Sequence, residues 1–256
     1  MRPIKLMQNV FVGATASLII GSTAAPTVLH ADPVSKTGSA VSKSSPARSV
    51  AGLTKEAVDA LSPSVRRLSH PRALEAAFNA YFEFKASNPG QIRKPYLYFV
   101  DYGQPATAAR GYVFDMNSLK VVEGPFTVAH GSGSGSGVPT RFSNASGSHS
   151  TSLGLYTTGS TYAFSGKSGG RPYTSVGLRL NGKSKGFNDN ALRRGVVAHG
   201  APYVTATKAG RSQGCPAMEQ ARAHRLLPMI ANGSAVFLFA PDANWMARDR
   251  WVADVL

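Results

Sequence analysis

Cys215, the only cysteine of the chain, stands in a Gly-Cys-Pro step and is the strongest candidate for covalent chemistry. Fifteen residues separate it from His199, which follows an apolar run and precedes a glycine, Gly200, that lets the backbone turn sharply. A cysteine nucleophile needs a base that takes its proton and returns it to the leaving amine, and histidine is the usual choice. The spacing is compatible with such a Cys-His pair, although spacing alone does not show that the two side chains meet.

The residues after Cys215 predict how its reactivity is tuned. Pro216 suits the first position of a helix, so we expect a helix to begin there, with Cys215 at or beside its N-cap. The positive end of the helix dipole and the nearby Arg211 would then favour a thiolate. Gly214 and the first helical turn would offer N–H donors to an oxyanion. The alternative interpretation is a small buried apolar residue, as most lone cysteines are.

The elements that position these residues are predicted to be mainly strands. The chain of 256 residues contains 26 Gly and 16 Pro, which favour a loop-rich, mainly β fold over a helical bundle. A helix is expected from about 216 toward 230, where Pro228 ends or kinks it. Short runs of β-branched and aromatic residues predict strands within 96–102, 111–115, 120–122, 126–129, 153–158, 177–180, 195–198 and 235–239.

The N-terminal part of the sequence predicts export. Arg2 and Lys5 precede an uncharged apolar stretch and a series of small residues, which is typical of a secretory signal peptide over 1–31. The apolar stretch is shorter than the ~20 residues that a membrane-spanning helix needs, so no stable membrane span is expected after cleavage. We predict a flexible linker over 32–52, an N-terminal helical segment over 53–90 and a catalytic domain over 91–256, located in the periplasm.

The charge of the chain favours an anionic partner. Its 28 Lys and Arg residues against 13 Asp and Glu give a formal net charge of +15. In an exported protein without a basic helix or zinc-finger spacing, this charge points to an envelope polyanion such as peptidoglycan and away from nucleic acid. The charges are dispersed along the whole chain, so a generally basic proteome explains them equally well. A single cysteine excludes a disulfide scaffold and a four-cysteine zinc site.

Two short segments resemble a known family. His-Gly at 199–200 and Ser-Gln-Gly-Cys at 212–215 resemble the signature of YkuD-type L,D-transpeptidases, which is His-Gly followed after a similar spacer by Ser-His-Gly-Cys. The Gly-Cys-Pro-Ala sequence, with the stretches 128–131, 147–154 and 186–191, resembles a divergent branch of that family. The resemblance covers about residues 95–240. Gln213 departs from the common histidine, and Pro216-Ala217 from the usual apolar-Arg pair, so other residues must position the substrate.

The resemblance implies a fold, an activity and a set of site residues. The fold would be an L,D-transpeptidase-like β-sandwich or barrel, with a helix after the cysteine and a short N-terminal helical segment. Cys215 would form a thioester with a peptidoglycan stem peptide and His199 would act as the base, making the chain a cysteine-dependent acyltransferase of cell-wall biogenesis without metal or cofactor. The remaining candidates either shape the site and its oxyanion (Gly200, Ser212, Gln213, Gly214) or bind substrate (Arg211, His130, His149, Tyr156).

Several alternatives stay open at this point. An L,D-carboxypeptidase uses the same acyl-enzyme and differs in passing it to water, and a transpeptidase can form 3-3 or 1-3 linkages. An envelope zinc hydrolase would use His130, His149, His199 and Cys215, but these residues lack the short pair spacing of such sites. A non-catalytic wall-binding module is the third alternative, although neither Cys nor His is missing from the motif.

Overall fold

The computed structural model describes residues 48–256. The predicted signal peptide and most of the predicted linker lie outside the described residues. The helices are α1 (Val50–Leu61), α2 (Ala73–Ser87), α3 (Gln220–Ile230) and α4 (Ala243–Arg248). The strands are β1 (Tyr96–Asp101), β2 (Ala109–Asp115), β3 (Lys120–Thr127), β4 (His130–Gly131), β5 (Gly154–Ser168), β6 (Arg171–Gly182), β7 (Val197–Gly200), β8 (Arg211–Ser212), β9 (Ala217–Met218) and β10 (Ala235–Phe239).

One mixed sheet of eight strands organises the described chain, in the order β3-β2-β1-β10-β5-β6-β7-β9. The pairs β1–β10 and β7–β9 are parallel, whereas the other neighbours in this sheet run antiparallel. A second, two-stranded sheet pairs β4 with β8. This strand content confirms the predicted mainly β fold. None of the helices between residues 48 and 256 combines the length and apolar character that a membrane crossing requires.

The central strands are almost entirely apolar because both of their faces are covered. All five residues of β10 are buried, and so are five of the six residues of β1. Helix α2 packs on β1, β5 and β10, while α3 packs on β6 and β7. Helix α3 therefore supports β7, the strand that carries His199, while α2 supports the centre of the sheet.

The N-terminal helices share the core of the sheet. Helix α2 buries nine of its residues, and the ring of Phe78 contacts that of Phe114 on β2 edge to face, with 5.4 Å between the centroids. A helix that is apolar on most sides lies between two layers, here α1 and the sheet. The predicted boundary at residue 90 therefore does not separate two hydrophobic cores.

The predicted end of the linker at residue 52 is wrong. Helix α1 begins at Val50, and the Ser49 side chain caps it by accepting a hydrogen bond from the Gly52 N–H at 3.1 Å. Serine is a preferred N-cap residue because its oxygen satisfies one of the free N–H groups of the first turn. The sequence prediction missed this cap because the preceding residues are rich in serine and alanine.

Candidate active site

Cys215 and His199 lie on the wall of one cavity of about 520 Å³. Cys215 is half-buried and His199 is almost fully buried. The predicted site residues Arg211, Ser212, Gln213 and His149 line the same cavity. Its remaining wall is formed by Gly147, Phe164, Ser165, Gly166, Lys167, Tyr173, Arg194, Gly195 and Tyr203.

Parallel pairing of β7 with β9 brings the cysteine to the histidine. His199 lies opposite Ala217 in the register of these two strands. The backbone N–H of His199 also donates to the carbonyl of Pro216 at 3.3 Å. Cys215 precedes β9 by two residues, so the same pairing fixes its position next to β7.

This pairing corrects the predicted surroundings of Cys215. Helix α3 begins at Gln220, not at Pro216, and the residues after Cys215 form a strand. Cys215 is therefore not at a helix N-terminus, and the predicted stabilisation of its thiolate by a helix dipole is wrong. Burial raises the pKa of the Cys215 thiol above its ordinary value, against smaller opposing contributions from the Val197 backbone and the Arg194 charge.

His199 is held as a neutral base. Burial lowers the pKa of its imidazole from 6.5 to about 4, because the interior disfavours the charged ring. Its Nδ1 lies 2.9 Å from the carbonyl oxygen of Gly200, which fixes the proton on Nδ1 and leaves Nε2 as the acceptor. The ring stacks on Phe164, with 4.1 Å between the centroids. Near neutral pH the site therefore contains a protonated Cys215 thiol and a neutral His199 imidazole.

The depressed pKa of His199 predicts an unusually acidic limit of activity. Since only the unprotonated ring accepts the thiol proton, we expect kcat/KM to fall as the pH drops through about 4, where His199 becomes protonated. An ordinary histidine would place this fall near pH 6.5. The measurement is a pH profile of kcat/KM, with circular dichroism at each pH to show that the protein stays folded. A half-maximal point near 6.5 in the folded protein would contradict the assignment.

The loop before Cys215 is closed by Ser212. The Ser212 hydroxyl donates to the carbonyl of Cys215 at 2.6 Å and accepts from the N–H of Gly214 at 3.2 Å. The Gly214 N–H is therefore already engaged and does not point freely at an oxyanion, contrary to the sequence prediction. Gly214 has a φ of +116°, and a Cβ at this position would lie 2.9 Å from the carbonyl oxygen of Ser150. Both observations make Gly214 a residue that shapes the loop.

The loop of His149 packs directly against the loop of Cys215. A Cβ on Gly131 would overlap the His149 carbonyl and lie 2.8 Å from the Cα of Gly214, so only glycine fits. Gly131 is held there by β4, which pairs with β8 so that it lies opposite Ser212. His149 itself is exposed and has a positive φ of 52°. This arrangement explains how a residue of a long loop reaches the cavity.

Arg194 is a cavity residue that the sequence prediction missed. Its Nη1 donates to the carbonyl of Ser143 at 2.8 Å and to the hydroxyl of Ser152, and its Nη2 donates to the carbonyl of Ser150 at 2.9 Å and to the hydroxyl of Ser148 at 3.1 Å. The guanidinium thus fastens the loop that contains His149 beside Cys215. Two adjacent arginines in a segment with few acidic residues were the only signal in the sequence.

His130 and Tyr156, two of the predicted substrate-binding residues, do not line this cavity. Both are fully buried. The Tyr156 hydroxyl donates to the carbonyl of Ser152 at 2.8 Å. Gly200 also lies outside the lining residues, on β7 where this strand packs against α3. We therefore assign none of these three residues to substrate contact; they support the site from within.

His130 belongs to a buried network that is centred on Arg110. The Arg110 guanidinium donates to the carbonyl of Val128 at 2.7 and 3.1 Å, to the carbonyl of Gln104 at 2.6 Å and to Nδ1 of His130 at 3.0 Å. Because Nδ1 accepts, the proton of His130 is on Nε2, which donates to the carbonyl of Gly135 at 3.1 Å. Burial lowers the pKa of Arg110 to about 10, so it remains charged at neutral pH.

This network extends to the strand that follows Cys215. Ala129 lies between Val128 and His130. Its N–H donates to the carbonyl of Ala217 at 2.7 Å, and its carbonyl accepts from the Tyr102 hydroxyl at 3.0 Å. Arg110 thus fixes the segment 128–130, and that segment fixes β9. The guanidinium is therefore linked to Cys215 only through the backbone of these segments.

Arg110→Lys is expected to lower kcat by about tenfold. One ammonium cannot replace the planar guanidinium that holds the Val128 and Gln104 carbonyls. A small displacement of Cys215 from its position would then lower the rate of attack. The matched control is Phe78→Leu, which removes buried volume away from the cavity. If the two variants lose the same amount of Tm, kcat should still fall for Arg110→Lys and should stay unchanged for Phe78→Leu. Equal kcat values in the two variants would show that Arg110 contributes only to stability.

The four candidate ligands of the alternative zinc site do not form one metal-binding group among the described residues. Within residues 48–256, no three His, Cys, Asp or Glu side chains form a group that could hold a metal ion. His130 is enclosed by Arg110 and the Gly135 carbonyl, whereas His149, His199 and Cys215 line the cavity.

Comparison with known proteins agrees with the sequence resemblance. Residues 66–239 match the family model YkuD_2, the L,D-transpeptidase catalytic domain. No curated protein sequence matches the chain. Among solved structures, an L,D-transpeptidase from Mycobacterium smegmatis is 16% identical with a TM-score of 0.34, and the match covers 57% of this chain and 59% of that one. An L,D-transpeptidase (Yku) from Stackebrandtia nassauensis is 15% identical with a TM-score of 0.36 and 66% of each chain covered. In both cases the match spans less than two thirds of the solved chain.

Proposed function

Because the chain belongs to the family of L,D-transpeptidase catalytic domains, we propose that it crosslinks peptidoglycan stem peptides through a thioester on Cys215. The observation that carries this proposal is the presence of Cys215 and a neutral His199 on the wall of one cavity. A thiol with a raised pKa needs a base at the moment of attack, and His199 is the buried neutral base beside it.

The first half of the reaction forms the acyl-enzyme. As the Cys215 sulfur attacks the carbonyl on the L-centre side of an L,D peptide bond, Nε2 of His199 accepts the thiol proton. The tetrahedral intermediate collapses, the carbon–nitrogen bond breaks, and the proton on His199 passes to the leaving amine. The donor stem then remains bound to Cys215 as a thioester.

The second half transfers the acyl group. The amine of a second stem attacks the thioester while His199 accepts its proton, and that proton returns to the departing sulfur of Cys215. This step forms a crosslink, of the 3-3 type or of the 1-3 type. Attack by water in place of the amine gives a shortened stem, which is the L,D-carboxypeptidase reaction.

The oxyanion of both intermediates requires donors other than Gly214, whose N–H is bonded to Ser212. We propose that Gln213, which is exposed at the cavity beside the loop, contributes to this part of the site. Arg211 and His149 would contact the stem peptides, since their side chains line the same cavity. The N-terminal sequence supports a periplasmic location for the reaction.

The deciding experiment is incubation of the purified protein with peptidoglycan, followed by muramidase digestion and mass spectrometry of the muropeptides. New 3-3 or 1-3 dimers would establish transpeptidation and give the linkage, whereas shortened monomers alone would establish a carboxypeptidase. The Cys215→Ala protein is the control. Unchanged muropeptides with the unsubstituted protein would overturn the proposed function.

A further inference from the structure

The positive charge of the chain is concentrated in the segment that forms the cavity. Residues 130–218 contain ten Lys and Arg residues but a single acidic residue, Asp189. Most of the net charge of +15 therefore comes from about one third of the sequence. The cations of this segment are Arg141, Lys167, Arg171, Arg179, Lys183, Lys185, Arg193, Arg194, Lys208 and Arg211.

These cations have no acidic partners in the described part of the chain. Every ion pair between residues 48 and 256 involves a basic residue outside 130–218. The acidic member of the segment, Asp189, accepts hydrogen bonds from the Asn144 side chain and from the Gly186 N–H. The cations of the segment 130–218 are thus uncompensated, whereas six cations elsewhere in the described residues form ion pairs.

Three of the cations lie on the cavity wall, and no acidic residue lines it. The Arg194 guanidinium is occupied by the carbonyls and hydroxyls of the loop 143–152. Arg211 and Lys167 are exposed, and their side chains make no hydrogen bond to the described residues. Because β8 pairs Arg211 with His130, the backbone of Arg211 is fixed, while its side chain on the cavity wall stays available to a ligand.

From this arrangement we infer that the cavity wall is a carboxylate subsite, in which Arg211 and Lys167 bind a free carboxylate of the peptide stem. The inference rests on the proposed function and adds a selectivity: stems with free carboxylates bind, and stems in which that carboxylate is an amide bind poorly. The guanidinium fork matches a carboxylate with two parallel hydrogen bonds. An amide accepts only one of them and carries no charge for the surrounding cations to attract.

Binding to Cys215→Ala protein tests the subsite without turnover. The probes are a soluble stem tetrapeptide with all carboxylates free and the same peptide with each carboxylate converted in turn to an amide, measured by isothermal titration calorimetry. One of the amides is expected to bind about tenfold more weakly than the free peptide, as for loss of a charged hydrogen bond. Equal affinities for all the peptides would overturn the inference.

Variants on the same background identify the ligand residue. Arg211→Gln should abolish the preference for the free carboxylate, and Arg211→Lys should retain part of it because the charge remains without the fork. Lys120→Gln, an exposed cation on β3 outside the cavity, is the matched control and should keep the full preference. An equal loss for Lys120→Gln would instead indicate diffuse attraction to a polyanion and would contradict a subsite.

The outcomes separate this inference from the proposed function. If Arg211 determines the carboxylate preference but the unsubstituted protein turns over neither peptide, the subsite stands and the proposed activity fails. If the unsubstituted protein crosslinks both peptides with equal kcat/KM and the Cys215→Ala protein binds them equally, the activity stands and the subsite is disproved.

Discussion

Replacing Cys215 by alanine is expected to abolish both crosslinking and stem shortening, with a loss of at least ~10⁴-fold, because the thioester cannot form without the sulfur. Cys215→Ser should be nearly as inactive, since a hydroxyl is harder to deprotonate than a thiol and His199 is a weak base with a pKa of about 4. Both products are measured by mass spectrometry of muropeptides. The half-buried position of Cys215 predicts that both variants stay folded.

The intact mass of the protein gives a second readout of this prediction. At early times after mixing with a donor stem peptide, a fraction of the unsubstituted protein should gain the mass of the acyl group, and Cys215→Ala should gain none. An adduct of equal yield on the alanine variant would show that another residue is acylated. Retained turnover in a folded Cys215→Ala protein would show that Cys215 is not the nucleophile.

The second large effect is expected at His199. His199→Ala should lower kcat by at least ~10²-fold, because proton transfer by a positioned base contributes ~10²–10⁴-fold. The matched control is His149→Ala, which changes an exposed histidine on the same cavity wall without removing the buried neutral ring. This variant should lose less activity and act mainly on KM.

His199 also stacks on Phe164, so the stability of His199→Ala must be measured with its activity. Circular dichroism and Tm decide whether a loss of kcat reflects the missing base or a disturbed fold. Normal turnover in folded His199→Ala protein, together with an inactive His149→Ala protein, would transfer the role of the base to His149.

The Cys-His pair could be predicted from the sequence because its evidence is local. Cys215 is unique, Gly200 follows His199, and the loop of residues between them is long enough to return the chain to β7. The helix start was predicted wrongly for a related reason. Pro216 is common at the first position of a helix, but here the pairing of β9 with β7 extends the chain to Met218 before α3 begins. Strand pairing is a long-range property that a Gly-Cys-Pro step does not encode.

Several of the predicted site residues do not line the cavity. His130 and Tyr156 have residue types suited to binding, but both side chains are enclosed by the core and by backbone carbonyls. Arg110 was overlooked, although a lone arginine within an apolar strand is a signal of a buried, paired charge. Arg194 was missed because its partners lie more than forty residues earlier in the chain.

The charge distribution was also misjudged from the sequence. Basic residues occur along the whole chain, which makes the charge look dispersed. The difference between the two parts lies in the acids: α1, α2 and β3 contain acidic residues that pair with nearby cations, whereas 130–218 contains a single acid. Only the ion pairs of the folded chain distinguish compensated from free charge.

Because α2 and the sheet share one core, they must be kept together when this domain is recombined with another protein. Phe78 contacts Phe114 on β2, and Phe84 contacts Trp251 near the other end of the chain at 5.5 Å between ring centroids. A chimaera joined at residue 90 would separate Phe114 and Trp251 from their aromatic partners on α2. The sheet therefore cannot be transferred to another protein without α2. The piece that recombination can transfer intact begins at the Ser49 cap and includes Trp251.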